Sequence, residues 1–264
     1  MSRTILFASF LATLCALDVE AQTTVRPLST DRPDRTESPY SVPKGWLQIE
    51  SDLVSHGQLE IDQQTITGTS VAAFNVKYGV TPRFDMQLVF SPWVHVHSEG
   101  PGFDESTNDT GQAGLRGKIN LVGNDSEGAA VALLPFVFVP TRGDAIFDSA
   151  TWGIVTPVGI AVGEKAAFSS MLGAVRVNND EWWVIGSVSL GTELVGALAG
   201  FLETYVARAG FESDALDDIT VDAGLTFAPT DAWQLDTGVY YGVTDNTEHW
   251  RVFVGASARF SLSP

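Results

Sequence analysis

The chain has 264 residues, enough for one large β domain or two small ones, and a hydrophobic content of 44% that by itself distinguishes no membrane protein from a soluble one. A formal net charge of −17 excludes nucleic acid as a partner and points to solvated acidic loops. The single cysteine, Cys15, rules out a disulfide framework.

Residues 1–21 read as an export signal. Arg3 supplies the positive start, the stretch from Ile5 to Leu17 is apolar, and Ala21 offers a small residue before Gln22. The run is too short to span a bilayer as a helix, and bulky Leu14 before Cys15 argues against an acylated lipoprotein. The longest later uncharged run, from Ser149 to Gly163, is broken by proline and glycine. A membrane crossing, if present, must therefore be made by strands closed into a barrel.

Residues 22–45 form a lead-in rich in Pro, Thr, Ser and charge. Pro27, Pro33, Pro39 and Pro43 forbid a long helix or a central strand. Two placements are open: an extended periplasmic approach to the first strand, or a segment tucked into the barrel lumen. In the second, Asp31, Arg32, Asp34, Arg35 and Glu37 would pair with lumenal charges.

The stretch TDRPDRTESPYSVPKGWLQIE, residues 30–50, resembles the opening of a family of bacterial outer-membrane β-barrel transporters, the "MetA-pathway of phenol degradation" family. Thr30, Asp31, Arg32, Pro33, Asp34, Thr36, Glu37 and Ser38 carry the resemblance. It implies a closed barrel in the outer membrane and transport of small solutes, aromatic or otherwise hydrophobic. No catalytic motif, cofactor or metal comes with it.

From residue 46 the chain reads as twelve strands, at about 46–54, 66–78, 84–96, 112–121, 129–139, 151–162, 166–177, 182–193, 201–210, 219–227, 233–241 and 249–260. The last shows the template. Trp250, Val252, Val254, Ala256, Ala258 and Phe260 share one face, and Arg251, Phe253, Gly255, Ser257 and Arg259 the other. Ten residues separate the two aromatics, about 25 Å vertically for a tilted strand, which is the height of a lipid-facing band between aromatic girdles. The fifth strand is apolar on both faces. In the ninth, Glu203 and Arg208 have opposite parity.

The connections alternate in kind. One set is short. The other is mostly longer and holds sixteen of the 32 acidic residues and one base, Arg142. That is the asymmetry of an outer-membrane barrel, with short periplasmic turns, long acidic extracellular loops and both termini in the periplasm. A soluble β-sandwich explains the turns and the alternation but not the strand length, the aromatic ends or the segregated loops.

Parity then assigns a lumenal row: Glu50 and Asp52 on the first strand, Lys77 on the second, Asp85 on the third, Arg116 and Lys118 on the fourth, Arg176 on the seventh, Asp222 and Asp236 on the tenth and eleventh, Arg251 and Arg259 on the last. These residues would form either a solute path or an ion-pair network. Closure should set the last strand antiparallel to the first, each lumenal arginine finding a carboxylate there or nearby. His95 and His97 leave one face of a strand, as two metal ligands would, but spacing names no third ligand. The His-x-Ser spacing of the outer-membrane phospholipase is missing, because Ser98 directly follows His97, and no enzyme is expected. The expected partners are outer-membrane lipid, a small-molecule solute and the barrel-assembly machinery, although Phe260 is followed by four further residues rather than ending the chain. The functional reading is an outer-membrane channel or transporter for small solutes, with a purely structural or adhesive barrel as the alternative.

Overall fold

A computed structural model describes residues 25–124, 128–141, 149–177, 181–210 and 217–262. The export-signal reading of residues 1–21 lies outside them. The described residues fold as fourteen strands in one antiparallel sheet: β1 (Trp46–Ile61), β2 (Gln64–Thr81), β3 (Phe84–Phe90), β4 (Trp93–Gly100), β5 (Phe103–Asp109), β6 (Gln112–Val122), β7 (Ala129–Pro140), β8 (Thr151–Val162), β9 (Ala166–Val177), β10 (Glu181–Val195), β11 (Leu198–Ala209), β12 (Asp217–Thr230), β13 (Trp233–Gly242) and β14 (Trp250–Ser261). β1 pairs with both β2 and β14, so the sheet closes on itself. The seam is antiparallel, as expected, and sets Gln48 opposite Arg259.

Fourteen strands make twelve staves. β3 and β4 lie end to end along one edge of β2, Phe74 facing Phe90 and Val71 facing Trp93. They are parted at Ser91 and Pro92, where proline lacks the N–H that the ladder needs. β6 pairs with β3, and β5 with β4, so these two form one interrupted stave broken at Thr110 and Gly111. The expected strand 84–96 is therefore two strands, and much of the expected loop 97–111 is the upper hairpin β4–β5. Likewise the excursion between β1 and β2 is strand up to a two-residue turn, Asp62 and Gln63, both at positive φ (49° and 64°) as a type I′ hairpin requires. On the periplasmic side the turns are short; Gly196, at φ 59°, turns β10 into β11 with Ala197.

Side chains alternate between the two faces along most strands. Outside stand Met86, Leu88, Leu115, Leu172, Val188, Leu190, Leu202 and Val254, each about half exposed. Inside, directly between them in sequence, Asp85, Gln87 and Glu203 are at most 2% exposed. Large apolar groups facing outward around a closed sheet, with polar groups enclosed, is the arrangement that lipid selects. Exposed Trp93, Trp152, Trp182 and Tyr241 mark the extracellular rim, and Tyr78 and Phe227 the periplasmic one, where Trp233 also meets Phe260 edge-on at 6.0 Å. The alternation changes phase once on β1 and β2: Asp52 and Ser55 both turn inward, while opposite them Ala72 takes φ 57°.

Arg176 departs from its expected place. The inward row of β9 is Met171 and Val175, and Arg176 leaves the outer face level with Trp152 and Trp182, its guanidinium 5.5 Å from the Trp182 ring. A charge is a poor guide to parity at the rim, where a long arginine reaches the headgroup layer from the lipid side. Arg208 also faces outward, bonded to Asp217 at 3.0 Å, whereas Glu203 faces inward.

The outward face carries a direct test. Leu202→Lys, at mid-height on β11, should destabilise the barrel by about 2–4 kcal/mol, and Val243→Lys, beyond the extracellular end of β13, by about 0–1 kcal/mol. Denaturant titration in lipid vesicles reads both; equal effects would contradict the lipid-facing assignment.

Candidate functional site

Residues 26–43 run inside the periplasmic half of the barrel and are held there mainly by charge. Asp31 is the centre. Its carboxylate accepts from Lys77 of β2 and Lys118 of β6, and its backbone N–H donates to Glu50 of β1 at 3.1 Å. Lys77 also pairs with Glu50. Burial alone would raise the Asp31 carboxyl, but Lys118, Lys77 and Arg116 outweigh it and hold the group well below the usual carboxylate range. Arg32 donates to Asp52 at 2.6 Å and to Asp236 at 2.7 Å, and Glu37 pairs with Arg116.

Backbone groups complete the docking. Val42 N–H donates to Asp85 at 2.7 Å, Arg35 N–H to Glu203 at 2.7 Å, and the Tyr240 hydroxyl to the Pro33 carbonyl at 2.6 Å. A proline-rich segment cannot satisfy its own backbone, so the wall's carboxylates do it. The wall is also relieved where the segment passes. A Cβ on Gly255 would fall 2.0 Å from the Arg32 Nη2, and one on Gly79 would fall 1.9 Å from the Pro43 carbonyl oxygen.

Two acids of the lead-in are strained electrostatically. Burial and then the charge of Glu203 push Asp34 up to about 8, although Ser189 donates to it at 2.8 Å. Burial pushes Glu37 up to about 7 against the opposing pull of Arg116.

Of the sequence-assigned row, Glu50, Asp52, Lys77, Asp85, Arg116, Lys118, Asp222, Asp236, Arg251 and Arg259 face the lumen, and Arg176 does not. Of the two arginines on β14, Arg251 finds a nearby carboxylate as expected, and Arg259 does not. Arg251 pairs with Glu248, three residues away, at 2.7 Å, and donates to Ser55 at 3.1 Å. Arg259 donates to the Arg26 carbonyl at 2.7 Å and lies 5.2 Å from the Trp46 ring. The carboxylates of β1 are engaged by Arg32, Asp31 N–H and Lys77 instead. Asp222 accepts from Thr220 at 3.0 Å. His95 and His97 bond to Asn108 and Ser106 on the exposed hairpin, and among the described residues no group of three or more His, Cys, Asp or Glu is placed to hold a metal ion.

What the sequence reading missed is the opposite wall. From β7 to β11 the inward row is mostly apolar or small, apart from the charged Glu203 of β11, with Leu134, Val155, Met171, Tyr205 and Ala207 forming one cluster against Phe136, Trp183 and Ile185. The signal was present in β7, whose two faces are both apolar. Along this wall three cavities follow one another. The uppermost, about 210 Å³, lies between Phe136, Met171 and Tyr205 above Arg35, Glu37 and Arg116. The next, about 320 Å³, shares Glu37 and continues past Asp34 beside Gly159, Ala161 and Ala167. The third, about 410 Å³, shares Asp34, Ala161 and Ala167 and reaches the periplasmic turn at Gly163, Glu164 and Lys165.

Solved structures share the architecture. The NanC porin is similar over 80% of this chain and 98% of its own, at 7% identity and a TM-score of 0.50. The β domain of the Bordetella autotransporter BrkA is similar over 82% and 100%, at 13% identity and 0.51. The KdgM porin is similar over 80% and 98%, at 8% identity and 0.49. A porin and an autotransporter domain thus present the same kind of barrel, and the likeness speaks to fold alone. No curated protein matches the chain in sequence. The model of the family described as "Putative MetA-pathway of phenol degradation" matches residues 30–260, and the chain belongs to that family.

Proposed function

We propose that this barrel is an outer-membrane channel for small solutes, aromatic or otherwise hydrophobic, whose path runs along the β7–β11 wall past a docked lead-in. The observation that carries the reading is the succession of cavities sharing Glu37 and then Asp34, from an apolar upper chamber to the periplasmic turn. The lead-in is held mainly by the charged staves, with further bonds to Glu203, Ser187 and Ser189, and the apolar surface of the β7–β11 wall is left for the solute. Residues 1–21 direct export and are removed, and the barrel-assembly machinery inserts the remainder into outer-membrane lipid. The filled periplasmic half favours one rival, a structural or adhesive barrel. Planar-bilayer recording separates the two: the channel reading expects conductance, increased when residues 25–44 are deleted, and silence in both proteins would leave the structural barrel.

Docking strength follows from the buried charges. Asp31→Ala strands Lys118 and halves the partners of Lys77, a loss of about 3–5 kcal/mol. Gly255→Val drives a side chain into the Arg32 guanidinium. Both variants should remain folded barrels, expose residues 25–44 to protease and conduct more than the parent. Protection and conductance equal to the parent's would contradict the docking.

Protonation should tune it. Docked Asp34 and Glu37 keep their protons up to about 8 and about 7, whereas the free segment loses them near 3.8 and 4.5. Docking thus takes up protons and weakens as pH rises between about 4 and 8. Asp34 faces Ser189, Glu203 and Asp31, and Glu37 faces Arg116, Lys118, Lys77 and Asp31; Asp31 itself, held low, loses its contribution only in stronger acid. Conductance should be higher at pH 8.5 than at pH 5.5 (roughly the two sides of that window), and Asp34→Asn should flatten the profile. A wild-type profile that is flat or reversed would refute the assignment.

A further inference from the structure

We propose that the upper chamber is a binding site for a compact aryl carboxylate, its ring against the β7–β11 wall and its carboxylate between Arg35 and Arg116. The proposal deepens the channel reading, on which it rests for its purpose. Size comes first. An apolar protein cavity of about 150 Å³ holds a benzene ring, so a chamber of about 210 Å³ has room for one ring and one small substituent. Phe136, Phe138, Leu134, Met171 and Ile185 offer it only apolar surface, and the Phe136 and Phe138 rings are tilted at 56° to each other with centroids 5.4 Å apart.

The floor is different in kind. Arg116 gives one end of its guanidinium to Glu37, while its Nε and the second Glu37 oxygen are buried with no hydrogen-bond partner. A buried guanidinium N–H without an acceptor is costly, and a ligand carboxylate would supply one. Arg35 stacks on the Tyr205 ring at 3.5 Å, donates to the Thr220 hydroxyl at 3.3 Å and reaches Asp218 at 4.0 Å, which leaves its guanidinium without a close carboxylate contact. Arg116 also lies 4.0 Å from Asp31, so what a ligand carboxylate would fill is the open acceptor position at the Arg116 Nε. The Glu37 carboxyl, pushed up to about 7, can take a proton and donate to the incoming anion instead of repelling it.

The same features exclude other solutes. A sugar would bury its hydroxyls against a wall that has no partners for them. A polyanion would meet Glu37 and, below it, Asp34 and Glu203. A neutral arene would leave the Arg116 Nε as unsatisfied as before.

Benzoate is the probe, titrated calorimetrically into the detergent-solubilised full-length barrel, with benzyl alcohol and acetate as the neutral and ring-less controls. Saturable benzoate binding is expected, at least tenfold tighter than either control. Arg35→Gln, which removes one charge, and Met171→Trp, which fills the chamber, should each weaken it roughly tenfold or more, with heat-modifiable gel migration confirming that both barrels are folded. No benzoate binding, equal affinity for benzyl alcohol, or binding unchanged in both variants would overturn the site. Because binding is read without flux, a barrel that binds benzoate but never conducts keeps the site and loses the channel. One that conducts and ignores benzoate loses the site alone.

Discussion

Everything inside the barrel is arranged around one carboxylate meeting two buried lysines. Lys77 and Lys118 are 1% exposed and project from two staves into the part of the lumen that the lead-in fills. Such charges are tolerated only with counter-charge in contact. Asp31 supplies it from a segment that belongs to no strand, so the ion pairs that stabilise the wall also fix the path of the lead-in. Once residue 31 is set, Arg32 falls between Asp52 and Asp236, Glu37 against Arg116, and the Val42 N–H against Asp85. The asymmetry of the lumen follows. The lead-in is anchored mainly on the charged staves, reaches Ser187, Ser189 and Glu203 of β10 and β11 as well, and leaves empty space along the mostly apolar β7–β11 side.

The outer architecture was legible because the two faces of most strands differ in chemistry. In β3, and in β14 from Val252 to Ser257, the contrast between the two rows states which face meets lipid, and the structure agrees. Where the faces do not differ, parity carries no information. β7 is apolar on both sides, so the inward row of Leu134, Phe136 and Phe138 could not be separated from the outward row of Leu133, Val137 and Val139. Arg176 misled for a related reason: on a strand of small and apolar residues the lone charge suggested an interior that it does not face. The hairpin β4–β5 was hidden by Pro92, which breaks a stave without ending it.

Partners inside the lumen were legible only as a set. The family segment and the charged wall both announced themselves, and their complementarity in sign was visible in the sequence. Which acid meets which base was not, because that depends on strand height and on the phase change near Asp52. Arg251 meets a nearby carboxylate, Glu248, whereas Arg259, expected to meet one too, donates instead to the Arg26 carbonyl that the lead-in brings to it. Glycine offered an unused clue: Gly79 and Gly255 are vacant slots in a wall, and vacant slots imply an occupant.

The position of Arg32 bears on how the barrel is made. Its two acids stand on β1 and β13, the strands that flank β14, and its guanidinium sits in the slot over Gly255 of β14 itself. Those three strands come from opposite ends of the chain and meet only when the circle is complete. An unfinished barrel therefore has no seat for this arginine. Seated there, it ties the first strand to the last two from the inside, a clasp across the seam that no outward-facing residue supplies.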